Sequence, residues 1–186
     1  MSLDTLNVDN KTAWRNRIIG LVLALALYAV DQWLKNYMQY TLDLEQVRNI
    51  NVLPFFDLTW VPNYGVSLGM LTATSMEMRW MLVGLTGAIA LVVAIWMLRE
   101  RRLIDVIALA MILGGALGNI HDRYTVGFVI DFINIHFWGW TPFVFNLADA
   151  AITLGVLIIL ARSLFMGEKS APSQGGAQAE ESAENS

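Results

Sequence analysis

The stretch from Gly114 to Asp149, GGALGNIHDRYTVGFVIDFINIHFWGWTPFVFNLAD, sets three aspartates, Asp122, Asp131 and Asp149, among apolar runs that otherwise carry almost no charge. Asn119-x-x-Asp122 and Asn146-x-x-Asp149 repeat one spacing. In a helical turn residues three apart share a face, so each amide is expected beside its own carboxylate. Asp131 stands between these pairs with Val129, Ile130, Phe132 and Ile133 around it. Ionisable groups near bilayer depth are costly and usually line a functional cavity, so this cluster is the candidate site and the rest of the chain is its frame.

Outward from that stretch, the composition points to a membrane. The 186 residues are 56% apolar and 15% charged, with mean hydropathy +0.51, more apolar than an ordinary soluble domain. The net charge of -4 is carried partly by a tail containing Glu180, Glu181 and Glu184, and nothing suggests nucleic acid. The absence of cysteine excludes disulfides, thiolate metal sites and a cysteine nucleophile. His121 and His136 are the two histidines, and they read as interfacial side chains rather than metal ligands.

Four spans are expected. A polar tail, 1–13, precedes Trp14 to Arg17 and an uncharged run from Ile18 to Val30. Crossing ~30 Å of hydrocarbon takes about 20 residues, so the first span should cover about 17–37, with Asp31 and Lys35 as i,i+4 partners near its far end. Ala24-Leu25-Ala26 is formally a signal-cleavage pattern, but cutting there leaves an apolar segment of only Ile18 to Leu23, and the segment is read as retained. The other spans are expected near 80–98, 103–121 and 145–165, with Gly114, Gly115 and Gly118 allowing close helix approach. Residues 14–166 then form one four-span unit, and the low-complexity 167–186 is expected to be disordered.

Tyr40 to Met78 holds Pro54, Pro62 and short apolar aromatic runs, which read as a few strands packed on the membrane surface. In Asn63-Tyr64-Gly65 the glycine permits a tight turn that aims the Asn63 amide at a ligand backbone; a plain loop turn is the alternative. Leu68, Met70 and Leu71 are candidates for contact with lipid or an apolar substrate. Eight of the twelve lysines and arginines lie in the amino-terminal tail, the short loop at Arg99, Arg101 and Arg102, and the carboxy-terminal end. The positive-inside rule therefore puts both termini in the cytoplasm and the Asp-rich stretch outside, with Trp33, Trp60, Trp138 and Trp140 in the outer aromatic belt.

Two carboxylates that share a site cannot both ionise easily, so one keeps a proton while the other accepts one from water, as an aspartic peptidase requires. Three aspartates compete for the two places. Arg123 is expected to hold Asp122 ionised in an orienting role, the apolar surroundings of Asp131 favour a raised pKa, and Asp149 opens a helix beside Asn146. Asp149 also has an ordinary reading as a helix-capping residue, so residue chemistry alone leaves the pair open.

Four blocks carry a resemblance: Asp31-Gln32 with Lys35; Asn63-x-Gly65; Gly114-Gly115-Ala116-x-Gly118-Asn119-x-x-Asp122-Arg123; and Val129-Ile130-Asp131-Phe132 with Phe145-Asn146-x-Ala148-Asp149. In this order they resemble the prolipoprotein signal peptidase family (signal peptidase II), membrane aspartic peptidases of bacteria. The resemblance implies a membrane α-helical fold: four transmembrane helices, a small extracytoplasmic strand-rich cradle and a second extracytoplasmic loop. It implies a catalytic dyad on Asp131 and Asp149, and cleavage of signal peptides just before a cysteine that already carries a diacylglyceryl group. Asn63, Asn119, Arg123 and Asn146 fall on positions that hold substrate or order the dyad, and Asp31, Lys35, Gly65 and Asp122 on structural ones. Val66 and Ser67 depart from the family's small-residue pattern, which bears on the shape of the cradle.

The implied setting is the bacterial cytoplasmic (inner) membrane. No cofactor or metal is expected; the partners are diacylglyceryl-prolipoprotein substrates and membrane lipid, and a monomer is expected. A proton-coupled carrier using intramembrane aspartates is the alternative, and it predicts interrupted helices in two corresponding halves. A catalytically dead scaffold would lack an aspartate or amide, and none is missing.

Overall fold

The computed structural model describes residues 9–65, 76–136 and 143–167. Its helices are α1 (Asn10–Asn36), continued by a π-helical turn (Tyr37–Thr41), the short α2 (Leu44–Val47), α3 (Met76–Arg99), α4 (Leu103–Thr125) and α5 (Leu147–Gly167). Its strands are β1 (Asn49–Leu53), β2 (Phe56–Asn63), β3 (Val129–Ile135) and β4 (Val144–Phe145). Four helices among the described residues are long and apolar enough to cross a membrane. The first begins earlier than its apolar run, because Asp9 accepts from the Thr12 backbone N–H at 2.6 Å and caps the helix ahead of Asn10.

α4 lies at the centre of the bundle, packed against α1, α3 and α5. Val106, Ala108, Leu109 and Ala110 on it are fully buried, whereas Leu85, Leu91 and Val92 on α3 and Leu157 and Leu160 on α5 stay exposed. A helix apolar on its outer face fits a lipid surround. Small residues permit the contacts. A Cβ on Gly114 would lie 2.6 Å from the Ala24 carbonyl oxygen of α1, and one on Gly115 would collide with the Ala148 carbonyl of α5. α1 and α5 are thereby seated against the same turn of α4.

The strands form one antiparallel sheet in the order β1-β2-β3-β4. Pro54 and Phe55 form the turn between β1 and β2. One side of the sheet is sealed by Met38, Leu44, Ile130, Phe132 and Trp60. Trp60 is therefore a core residue and not a member of an aromatic belt. A bulge between Leu58 and Val61 adds a residue to β2 opposite β3, and Trp60 lies within it; bulges bend a strand and re-aim its side chains. Val61 pairs with Asp131 immediately beyond. Trp33 is exposed. Val66, Ser67, Leu68, Met70, Leu71, Trp138, Trp140 and the tail from 168 lie outside the described residues.

Candidate active site

Three helix ends and the middle of β3 meet here: the C-terminal turns of α1 and α4, and the N-terminus of α5. Asp131, on β3, is 2% exposed. Its Oδ1 accepts from Asn146 Nδ2 at 2.6 Å and its Oδ2 from Asn63 Nδ2 at 3.0 Å. Burial, then the charge of Asp149, pushes the Asp131 pKa from 3.8 up to about 7, against the opposing effect of the two amides.

Asp149 lies in the first turn of α5. Its backbone N–H donates to Asn146 Oδ1 at 2.9 Å, and its Oδ2 accepts from the Asn146 N–H at 3.3 Å, a reciprocal box that starts the helix. The other oxygen, Oδ1, accepts from Asn119 Nδ2 at 2.8 Å. Asn119 Oδ1 in turn accepts from Asn146 Nδ2 at 3.2 Å. Asp131, Asn146, Asn119 and Asp149 are thus joined in a single chain of side-chain hydrogen bonds, so the helix-capping reading of Asp149 and its place beside Asp131 are compatible.

Beneath this chain sits Lys35, 1% exposed. Its ammonium lies 2.8 Å from Asp31 and 2.7 Å from Asp122, and donates to Asn119 Oδ1 at 3.1 Å, which matches its three N–H groups. Asp31 Oδ1 accepts from the Ala148 N–H at 3.0 Å, so a carboxylate of α1 satisfies an otherwise orphan donor of α5. Asp122 Oδ2 also accepts from the Ile130 N–H at 3.2 Å, next to Asp131 in the chain.

Asn119 and Asp122 share a face as the repeated spacing suggested, both meeting the Lys35 ammonium, but the Asn119 amide donates across to Asp149 on α5. One expectation is corrected: the close ion pair of Asp122 is with Lys35, and Arg123 acts on Asp122 only through space. Successive helix residues point in different directions, and the Arg123 guanidinium donates through Nη2 to the Gly65 carbonyl at 2.7 Å. Gly65 also closes the turn at Asn63: its N–H donates to Asn63 Oδ1 at 3.0 Å, and the Asn63 amide aims at Asp131. Positive φ among the described glycines falls on Gly127 rather than Gly65.

Gln32, from the first of the four blocks, joins this cluster. Its Nε2 donates to Asp122 Oδ1 at 2.9 Å and to the Gly118 carbonyl at 3.2 Å, and no spacing along the chain announces that contact. His121 pairs with Tyr28 through Nδ1 at 2.8 Å, and His136 lies 3.1 Å from Asp57.

Residues 23–165 match the sequence profile of a family described as Signal peptidase (SPase) II. The chain belongs to the signal peptidase II family. Similar relatives carry the name lipoprotein signal peptidase. That of Sphingopyxis alaskensis is 48% identical over 151 residues, covering 81% of this chain and 87% of the relative. That of Rhizorhabdus wittichii is 44% identical over 160 residues, covering 86% and 93%. A bacterial membrane enzyme solved by the in meso method at 2.3 Å shares the fold with TM-score 0.73 at 24% identity, over 85% of this chain and 94% of that one. A second, at 1.9 Å, gives TM-score 0.68 at 27% identity, over 78% and 92%. Within signal peptidase II, then, this chain is a multi-pass membrane aspartic peptidase.

Proposed function

We propose that Asp131 and Asp149 together hydrolyse the peptide bond preceding the diacylglyceryl-modified cysteine of prolipoproteins, and so release their signal peptides. The observation that carries the assignment is the amide chain that links the two carboxylates, with Asp131 buried and titrating near neutrality. Asp131 keeps its proton; Asp149, fed by Asn119 and by the start of α5, is the base. A water between them gives a proton to Asp149 as its oxygen attacks the scissile carbonyl, and Asp131 protonates the carbonyl oxygen. Collapse of the tetrahedral intermediate breaks the C–N bond. The proton on Asp149 passes to the leaving amine, and Asp131 regains its own from the hydroxyl it had protonated.

Asn63, Asn119, Arg123 and Asn146 hold the substrate or order the dyad, with Asn63 and Arg123 on the dyad-ordering side, while Asp31, Lys35, Gly65 and Asp122 hold the frame. Residues 14–166 act as one peptidase unit, a monomer in the bacterial inner membrane with both termini in the cytoplasm and the dyad at the outer face. There an apolar signal helix and two acyl chains can stay in lipid while the peptide reaches the carboxylates. The carrier reading is not favoured, since the family's chemistry is proteolysis.

The test is cleavage by purified protein in detergent of one prolipoprotein, offered with and without its diacylglyceryl group. Cleavage of the lipidated form alone, or much faster, is expected. Equal rates would remove the lipid from recognition, and cleavage of neither would remove the substrate class.

A further inference from the structure

The last turn of α4 carries Asp122 and Arg123, and only three residues, 126–128, separate Thr125 from β3, which holds Asp131. How that turn is finished therefore bears on where Asp131 stands. The Asp122 carbonyl accepts from the N–H of Val126 at 2.8 Å and of Gly127 at 3.1 Å, with Gly127 at φ +96°. This is the glycine-ended helix stop, and it leaves the next carbonyls, Arg123 and Tyr124, in need of donors. Both are filled from another helix. Arg79, in the first turn of α3, donates from Nε to the Arg123 carbonyl and from Nη2 to the Tyr124 carbonyl, each at 2.6 Å.

An aromatic ring packs beside the fork. The Arg79 guanidinium lies 5.4 Å from the centre of the Trp80 ring, which meets Tyr124 edge-on at 5.7 Å. It also packs against Gly127, where an added Cβ would stand 3.3 Å from Nη1. A positive group at a helix C-terminus also meets the negative end of the helix dipole. Two routes lead from this turn to Asp131. One is the backbone through Gly127 into β3, and the other is the Arg123 side chain to the Gly65 carbonyl and so to Asn63, whose amide donates to Asp131.

We infer that Arg79 is a positioning residue for Asp131: its bidentate hold on the Arg123 and Tyr124 carbonyls fixes the helix end from which both supports of that carboxylate depart. The inference rests on the proposed dyad. It predicts an effect on turnover rather than on substrate binding, since Arg79 acts through Arg123, Gly65 and the β3 entry.

The experiment measures kcat and KM for a diacylglyceryl-prolipoprotein with wild type, Arg79→Ala, Arg79→Lys and Asp131→Asn, each purified in detergent and normalised to folded protein. Arg79→Ala is expected to lower kcat roughly 10- to 100-fold, the scale of a misplacement near 1 Å, with KM within about threefold. Arg79→Lys keeps the charge but not the fork and should fall between the two. Should Arg79→Ala not accumulate in the membrane, Arg79→Lys carries the test through the same lowered kcat at constant KM. An unchanged kcat, or a change in KM alone, overturns the role of Arg79 while leaving the dyad intact. Turnover by Asp131→Asn overturns the dyad itself.

Discussion

At Asp131 the pKa near 7, against 3.8 for an ordinary aspartate, has two consequences of definite sign. Activity needs this carboxyl protonated, so kcat/KM is expected to fall above about pH 7 with a slope approaching one decade per pH unit. A profile flat to pH 9 would contradict the acid role. For stability, the folded chain holds a proton that the unfolded chain releases, so the contribution of this group is full below about 4 and is lost as pH rises to about 7. The fall in melting temperature over that window should flatten in Asp131→Asn. The isolation of Asp131 among Val129, Ile130, Phe132 and Ile133 made its burial legible in the sequence, and the Asn146/Asp149 spacing made the start of α5 legible. The partner of Asp122 was not. Lys35 lies far away along the chain, and adjacency pointed to Arg123, whose side chain leaves the helix in a different direction.

Between elements, Lys35 joins α1 to α4 and, through Asn119, to α5, so removing it is more than the loss of one ion pair. Lys35→Met leaves Asp31 and Asp122 buried with fewer donors, and a loss of about 3–5 kcal/mol in stability is expected, read as a drop in melting temperature. Asp122→Asn should cost less and retain some cleavage, because Lys35 keeps Asp31 and Asn119. A Lys35→Met protein as stable as wild type would show that the buried network does not hold the helices. The helices themselves were readable from apolar run length, and the small-residue turn of α4 from Gly114, Gly115 and Gly118. What failed at this scale was Trp60, whose aromatic character suggested an interface. The β2 bulge turns it into the core, and a bulge leaves no mark in composition. Arg79 was not legible either, since a contact with carbonyls of α4 has no sequence signature.

For the whole molecule, the distribution of lysine and arginine predicts which side of the membrane each end occupies. Because the chain has no cysteine, single cysteines can be introduced without a background. Val52→Cys, exposed on β1, should react with a membrane-impermeant maleimide in intact spheroplasts, and Arg101→Cys only after permeabilisation; the reverse pattern would invert the topology and move the site to the cytoplasm. The four-span frame brings together the end of α4, the start of α5 and the middle of β3, where Asp131 and Asp149 are tied through Asn119 and Asn146. The most direct measurement is single-turnover cleavage of a diacylglyceryl-prolipoprotein by Asp131→Asn, Asp149→Asn and the double variant, each shown to be folded. Loss on the order of 10³-fold or more is expected for each single change, with the double variant little worse, since members of one catalytic unit are not additive. Substantial cleavage by either folded single variant would mean that the two carboxylates are not the acid and base.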